Sequence, residues 1–193
     1  MSPKTAGAGF FILGISISKN LWYNKLKQIF SAEPCRRAEG GGPVPVKKDV
    51  IISIKGLQQD PEGESDTITL VTAGRYYRKN DHYYISYEES ELTGLQGTRT
   101  TLRVSPDTVR VIRTGECPSE LLFETGKRNL SLYHTEYGDL SVVISTRSIR
   151  STLTDDGGEL NVSYAVEIGS SPVGVNQLSL NIQNAEEKGA VYQ

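Results

Sequence analysis

From residue 47 onward, apolar side chains recur at every second position. In the stretch 159–168, Leu160, Val162, Tyr164, Val166 and Ile168 share one parity, while Asn161, Ser163 and Glu167 hold the other. A pleated strand sends alternate side chains to opposite faces, so this spacing predicts a strand with one buried face. The same alternation groups Leu140, Val142 and Ile144. It sets Thr100, Leu102 and Val104 opposite Arg99 and Arg103, and it joins Val109, Val111 and Arg113. Residues 47–56 open the series, and 174–182 close it with Val175, Leu178, Leu180 and Ile182. Turn-forming residues separate these runs: Lys79-Asn80-Asp81, Ser105-Pro106-Asp107, Gly126-Lys127 and Asp155-Asp156-Gly157-Gly158. No convincing helix follows residue 46. Short strands at regular spacing with hairpin connections predict a sandwich or an up-and-down barrel. Closure removes exposed edges and favours the barrel. The expectation is an all-β, closed antiparallel up-and-down barrel of about eight strands, formed by residues 46–193 as a single domain.

The tyrosine-rich stretch 76–91 fits this scheme as a hairpin around residues 79–81. Tyr83, Ile85 and Tyr87 share a face, which the alternation extends to Glu89 and Glu91; Tyr84, Ser86 and Glu88 look the other way. Stacking platforms for single-stranded nucleic acid set aromatics in a positive groove. Here the aromatics lie among Asp81, Glu88, Glu89 and Glu91, so packing within a sheet is the reading.

Charge sharpens that exclusion. The chain carries a net −2, yet residues 1–45 hold Lys4, Lys19, Lys25, Lys27, Arg36 and Arg37 against only Glu33 and Glu39. The remaining residues are therefore net acidic, and no nucleic-acid partner is expected. Cys35 and Cys117 form no metal or disulfide spacing with each other or with His82 and His134. No cofactor and no metal are expected, and the cysteine usage suits a reducing cytoplasm.

Residues 1–45 differ from the rest. An apolar run at 6–17 is too short to span a bilayer easily, so no transmembrane segment is expected. Leu21, Trp22, Lys25, Leu26 and Ile29 follow at amphipathic-helix spacing, and a Gly/Pro-rich stretch ends the segment. A cleaved signal, a helix lying on a membrane surface, or a start codon chosen upstream of the natural one near Val46 each accounts for it. The third reading is preferred: residues 1–45 are an N-terminal extension, poorly ordered or an artefact of start-site choice.

Candidate chemistry comes from the charged ends of apolar faces. Arg113 continues the face of Val109 and Val111, and Glu89 and Glu91 continue that of Tyr83 and Tyr87. Buried charges must be compensated, so these groups should pair at one barrel end. Two roles are open: a charge pair that closes the barrel, or an Arg113 that, with nearby tyrosine hydroxyls, holds the acidic head of a small apolar ligand. Arg75 and Tyr77 form a weaker version of the same arrangement. The Gly94–Gly97 spacing lies between strands and reads as a turn. No nucleophile elbow, zinc-protease motif or phosphate loop is present. His134, with Glu136 two residues on, is an isolated candidate base, and an enzyme is not the expectation.

The stretches "YYISYEESELTGLQGTRTTLRV", "RTGE", "LLFETG", "YHTEYGDL" and "GELNVSYAVEI", in this order, resemble the YwiB-like family of uncharacterised bacterial calycin-like β-barrel proteins, a domain of unknown function. The resemblance runs from about residue 47 to about 182. It implies a closed barrel of about eight strands, similar in architecture to lipocalins and fatty-acid-binding proteins. Members begin near where Lys47 stands. No activity is established for them, so no catalytic residue carries over. Positions matching the recurring pattern are Tyr87, Glu89, Arg113, Tyr133, Thr135 and Tyr137, the candidate ligand-binding residues. The function expected is a non-enzymatic binder of a small apolar or amphipathic ligand inside the barrel. The alternative is a filled barrel that docks a protein partner or, as a homodimer, a second copy of itself.

Overall fold

A computed structural model describes residues 10–12, 15–17, 46–116, 118–135 and 138–185; for 10–12, 15–17, 131–135 and 138–140 it describes backbone alone. Phe10–Ile12 (β1) and Ile15–Ile17 (β2) pair as a separate antiparallel ribbon. The amphipathic stretch at 21–29 and Cys117 lie outside the described residues. Ten strands make the main sheet. They are Lys48–Gln59 (β3), Ser65–Lys79 (β4), His82–Glu88 (β5), Thr98–Val104 (β6), Thr108–Gly115 (β7), Ser119–Glu124 (β8), Arg128–Thr135 (β9), Gly138–Ser151 (β10), Gly158–Ile168 (β11) and Ser171–Asn184 (β12).

Their lateral order is β8-β7-β6-β5-β4-β3-β12-β11-β10-β9, each antiparallel to its neighbour. The β3–β12 ladder joins the first and last of the ten, and β8 and β9, at the two ends of the order, are consecutive in sequence. β8 and β9 are not zipped into a ladder: their connection is tied to Thr146 on β10, and one side-chain bond links β9 to β8. Gly126 N donates to Thr146 O at 3.0 Å, Thr146 N to Lys127 O at 3.0 Å, and Asn129 Nδ2 to Leu122 O at 3.1 Å. The result is a nearly closed antiparallel barrel of ten strands, where about eight were expected. The spacing of runs along the chain allows eight to ten strands, and the two for which it assigns no buried face are β8 and β9. In β8 only Leu121 and Phe123 are buried apolar residues, too few to establish a period.

Alternation governs the rest. In β6 every second residue is buried, as are Val109, Val111 and Arg113 in β7, and in β11 Leu160, Val162, Tyr164 and Val166 are each at most 2% exposed. Phe123 and Tyr164 meet edge-on across the interior with ring centroids 4.8 Å apart. One strand departs from expectation. In β12 the inward residues are Asn176, Leu178, Leu180 and Ile182, and Val175 is only half-buried. Val175 and Leu178 have opposite parity, so the pleat cannot turn both inward, and the apolar majority carries Asn176 in with it.

Local features fix the ends. Asn80 and Asp81, with φ of 49° and 59°, form the two-residue turn of the β4–β5 hairpin, a conformation that asparagine and aspartate tolerate. Gly74, on β4, lets atoms of β3 and β5 crowd it from either side: a Cβ there would lie 2.3 Å from Ile52 Cδ1 and 2.7 Å from the Ser86 carbonyl oxygen. At the end where β3 starts, the β10–β11 connection is strapped down. Lys48 Nζ donates to the Asp156 carboxylate at 2.8 Å and to Asp155 O at 2.9 Å, and the Tyr76 hydroxyl donates to Thr154 O at 2.6 Å. Among the described residues no helix is long and apolar enough to cross a membrane.

Candidate functional site: a polar belt inside the barrel

Two rows of buried polar side chains follow from strand register. The first crosses β4 to β8. Gly74 stands opposite Tyr87, Tyr87 opposite Thr100, Thr100 opposite Arg113, and Arg113 opposite Ser119. Tyr87, Thr100 and Arg113 all point inward, at 4%, 0% and 3% exposure. Glu89 follows just beyond β5, held level with β6 by its N–H donating to Thr98 O at 2.9 Å, and is likewise buried. Thr100 Oγ1 donates to the Glu89 carboxylate at 2.5 Å. The Tyr87 hydroxyl is in hydrogen-bonding contact with Glu89 and Thr100. Burial and then the Glu89 charge push its pKa well up, which the Arg113 guanidinium partly offsets.

Arg113 is the unusual member. Its Nη1 donates to Ser119 Oγ at 3.2 Å, while Nε and Nη2, both buried, find no hydrogen-bond partner. Direct pairing with Glu89 was expected, and the two form no ion pair. Glu89 is taken up by the hydroxyls of Thr100 and Tyr87, which stand between the two charges. The unpartnered atoms matter by their geometry. Nε–H and the outer Nη2–H point the same way, one edge of the planar fork that matches a carboxylate with two parallel hydrogen bonds.

The second row crosses β3, β12, β11 and β10, where Gln58, Asn176, Tyr164 and Thr146 stand side by side. All four are buried. Asn176 Nδ2 and Oδ1 and Thr146 Oγ1 have no hydrogen-bond partner. Burial raises the Tyr164 pKa and the Arg113 charge lowers it, so the guanidinium of the first row makes itself felt at the second. Thr100, Thr146 and Asn176 were not picked out as site residues from the sequence. The one readable signal was an asparagine at the parity of Leu178, Leu180 and Ile182.

The remaining candidates fall elsewhere. Tyr133 and Thr135 lie on β9, in register with Leu140 and Gly138, but their side chains and that of His134 lie outside the described residues, as does all of Tyr137. Glu91 is exposed, because the chain leaves the strand pattern at Ser90 and makes a 3-10 turn over Glu91–Thr93 that Gly94 ends in the left-handed conformation. Arg75 and Tyr77 face outward. Tyr77 stacks on Tyr84 at 4.8 Å, with Lys47 5.6 Å from its ring, beside an open groove of about 450 Å3 lined in part by Arg75, Ser86 and Arg99. Among the described residues no three His, Cys, Asp or Glu side chains gather as metal ligands. Chemically, the inner belt offers a cationic fork, an amide and hydroxyls, all within apolar surroundings: the groups needed to hold a small anion-bearing molecule.

Residues 52–180 match the profile of a domain of unknown function, DUF1934. An uncharacterised β-barrel protein of Bacillus subtilis (strain 168), YwiB, is 27% identical over 134 residues, which are 69% of this chain and 92% of that protein. The crystal structure of the ywiB protein from Bacillus subtilis aligns with a TM-score of 0.60 at 25% identity, covering 72% of this chain and 93% of that one.

Proposed function

The chain belongs to the DUF1934 family of β-barrel proteins of unknown function, and for this member we propose a non-enzymatic binder of a small amphipathic ligand inside the barrel. The observation that carries the reading is the side-on edge of Arg113. A guanidinium 3% exposed, with Nε and Nη2 unpartnered, is a costly arrangement for a chain that has no use for it. An anionic head group on that edge supplies both missing hydrogen bonds and the counter-charge. Apolar neighbours such as Val111, Leu121 and Phe123 suit the remainder of the ligand. Fully buried Tyr76, Phe123 and Tyr164 occupy much of the interior and limit it to a small one.

Native mass spectrometry of freshly purified protein tests this. The expected result is a small acid that co-purifies with the wild type and is lost from Arg113→Met at unchanged fold. An unadorned mass for the wild type, unaltered by added octanoate or nonanoate up to the solubility limit, rejects it. A second reading has its own support: the crowded interior fits a barrel that is only a scaffold, with the outer Tyr77–Tyr84 stack and its groove as the surface that meets a protein partner. That reading predicts loss of partner binding on Tyr84→Ala with the interior untouched.

A further inference from the structure

Asn176 is another unsatisfied group of the interior, carried by β12, five places from the β7 of Arg113 in the lateral order of the ten strands. It is 0% exposed, both its amide atoms lack partners, and it is flanked in register by Gln58 and Tyr164, with Thr146 one strand further on. A strand interior has no structural need for an asparagine. Leucine at this position would extend the run of Leu178, Leu180 and Ile182 and remove the cost of burying an amide without hydrogen bonds. An amide presents a donor and an acceptor side by side, and its best complement is a group that does the same. A ligand amide answers both atoms together, whereas a hydrocarbon chain answers neither. The Thr146 hydroxyl, also buried and unpartnered, widens the polar strip in the same row.

From the Arg113 edge and the Asn176 amide together, we infer that the ligand is a small acid carrying an internal amide, such as an N-acylated amino acid, rather than a simple fatty acid. This rests on the proposed internal site and adds a second, independent anchor to it. Arg113 supplies affinity for the acidic end, and Asn176 with Thr146 supplies discrimination along the body. Discrimination of this kind is strong because leaving buried polar groups unpaired penalises the wrong ligand.

The test compares acids of matched chain length by isothermal titration: nonanoate against N-hexanoylglycine and 4-(butanoylamino)butanoate, whose amides lie at different distances from the carboxylate. The wild type is expected to prefer one amide acid over nonanoate by about tenfold or more, the worth of a satisfied buried hydrogen-bond pair. Asn176→Leu should abolish that preference while retaining nonanoate binding, which also shows that the variant is folded. Thr146→Val should reduce the preference by a smaller factor. Arg113→Met should weaken all three acids together. Equal preference in wild type and Asn176→Leu, with binding still lost in Arg113→Met, overturns the amide inference and leaves the internal acid site standing. Binding that is insensitive to Arg113→Met, or absent for all three acids, overturns both.

Discussion

Replacing Tyr87 by phenylalanine removes one oxygen from the most heavily coupled point of the inner belt. The ring is 4% exposed and stays in place, so little apolar contact changes. What is lost is the hydroxyl that, with Thr100, surrounds the Glu89 carboxylate. A hydrogen bond to a charged group contributes about 1.5–3 kcal/mol, and a buried carboxylate deprived of a donor has no water to replace it. About 2 kcal/mol of destabilisation follows, and at roughly 2–4 °C per kcal/mol for a chain of this size the midpoint falls by about 4–8 °C. Tyr84→Phe is the matched control, because its hydroxyl belongs to the half-buried outer face where Tyr84 stacks on Tyr77. Such surface changes stay within about 0.5 kcal/mol. Urea denaturation followed by circular dichroism gives both values, with equal m-values confirming that the states compared are the same. If Tyr87→Phe were no more destabilising than Tyr84→Phe, the Tyr87–Glu89–Thr100 cluster would not be the buried network described here.

Two further outcomes follow from other parts of the barrel. Gly74→Ala should destabilise by about 1–3 kcal/mol in the same assay, since the new methyl meets both Ile52 Cδ1 and the Ser86 carbonyl, and the second is backbone that cannot swing aside. Ile52→Val should recover only part of that loss; full recovery would show that the backbone contact is unimportant. The strap at the barrel end should be pH-dependent. Hydrogen bonding to Lys48, with its charge adding to the effect, holds the Asp156 carboxyl below its ordinary 3.8, and the same bond raises Lys48 above its ordinary 10.5. The Asp156 contribution is therefore present above pH 3.8 and lost as pH falls through the lowered value; that of Lys48 is present below pH 10.5 and lost as pH rises through the raised one. The melting-temperature difference between wild type and Asp156→Asn should vanish at low pH and shrink with added salt, because both groups are exposed. A difference unchanged down to pH 2 contradicts the strap.

Much of the barrel is legible in the sequence because a half-buried strand writes its environment into every second residue. Leu160 to Val166 and Val109 to Arg113 lie on the predicted faces for that reason. Legibility fails where a strand is short or its parity mixed. The six residues of β8 carry too few apolar positions, and Val175 misdirects because the decisive inward residue, Asn176, is polar. Glu91 misleads for a different reason: alternation extrapolates smoothly through Ser90, whereas the backbone turns there. The inner belt is hardest to see. Arg113 and Glu89 could each be read as inward from their own segments, but Thr100 between them, and the Gln58–Asn176–Tyr164–Thr146 row, exist only once four strands are set in register. That register is fixed by long-range ladders such as β3–β12, which no local pattern encodes.

The most direct test of the internal anion site watches Arg113 itself. In 15N-labelled protein, the Nε–H signal of Arg113, assigned by its loss in Arg113→Lys, is followed while octanoate is added. The account predicts a saturable downfield shift and slowed solvent exchange of this signal, with octanol inert and the exposed Arg75 unaffected. An Arg113 signal that does not move, or that shifts only in step with Arg75, would contradict it.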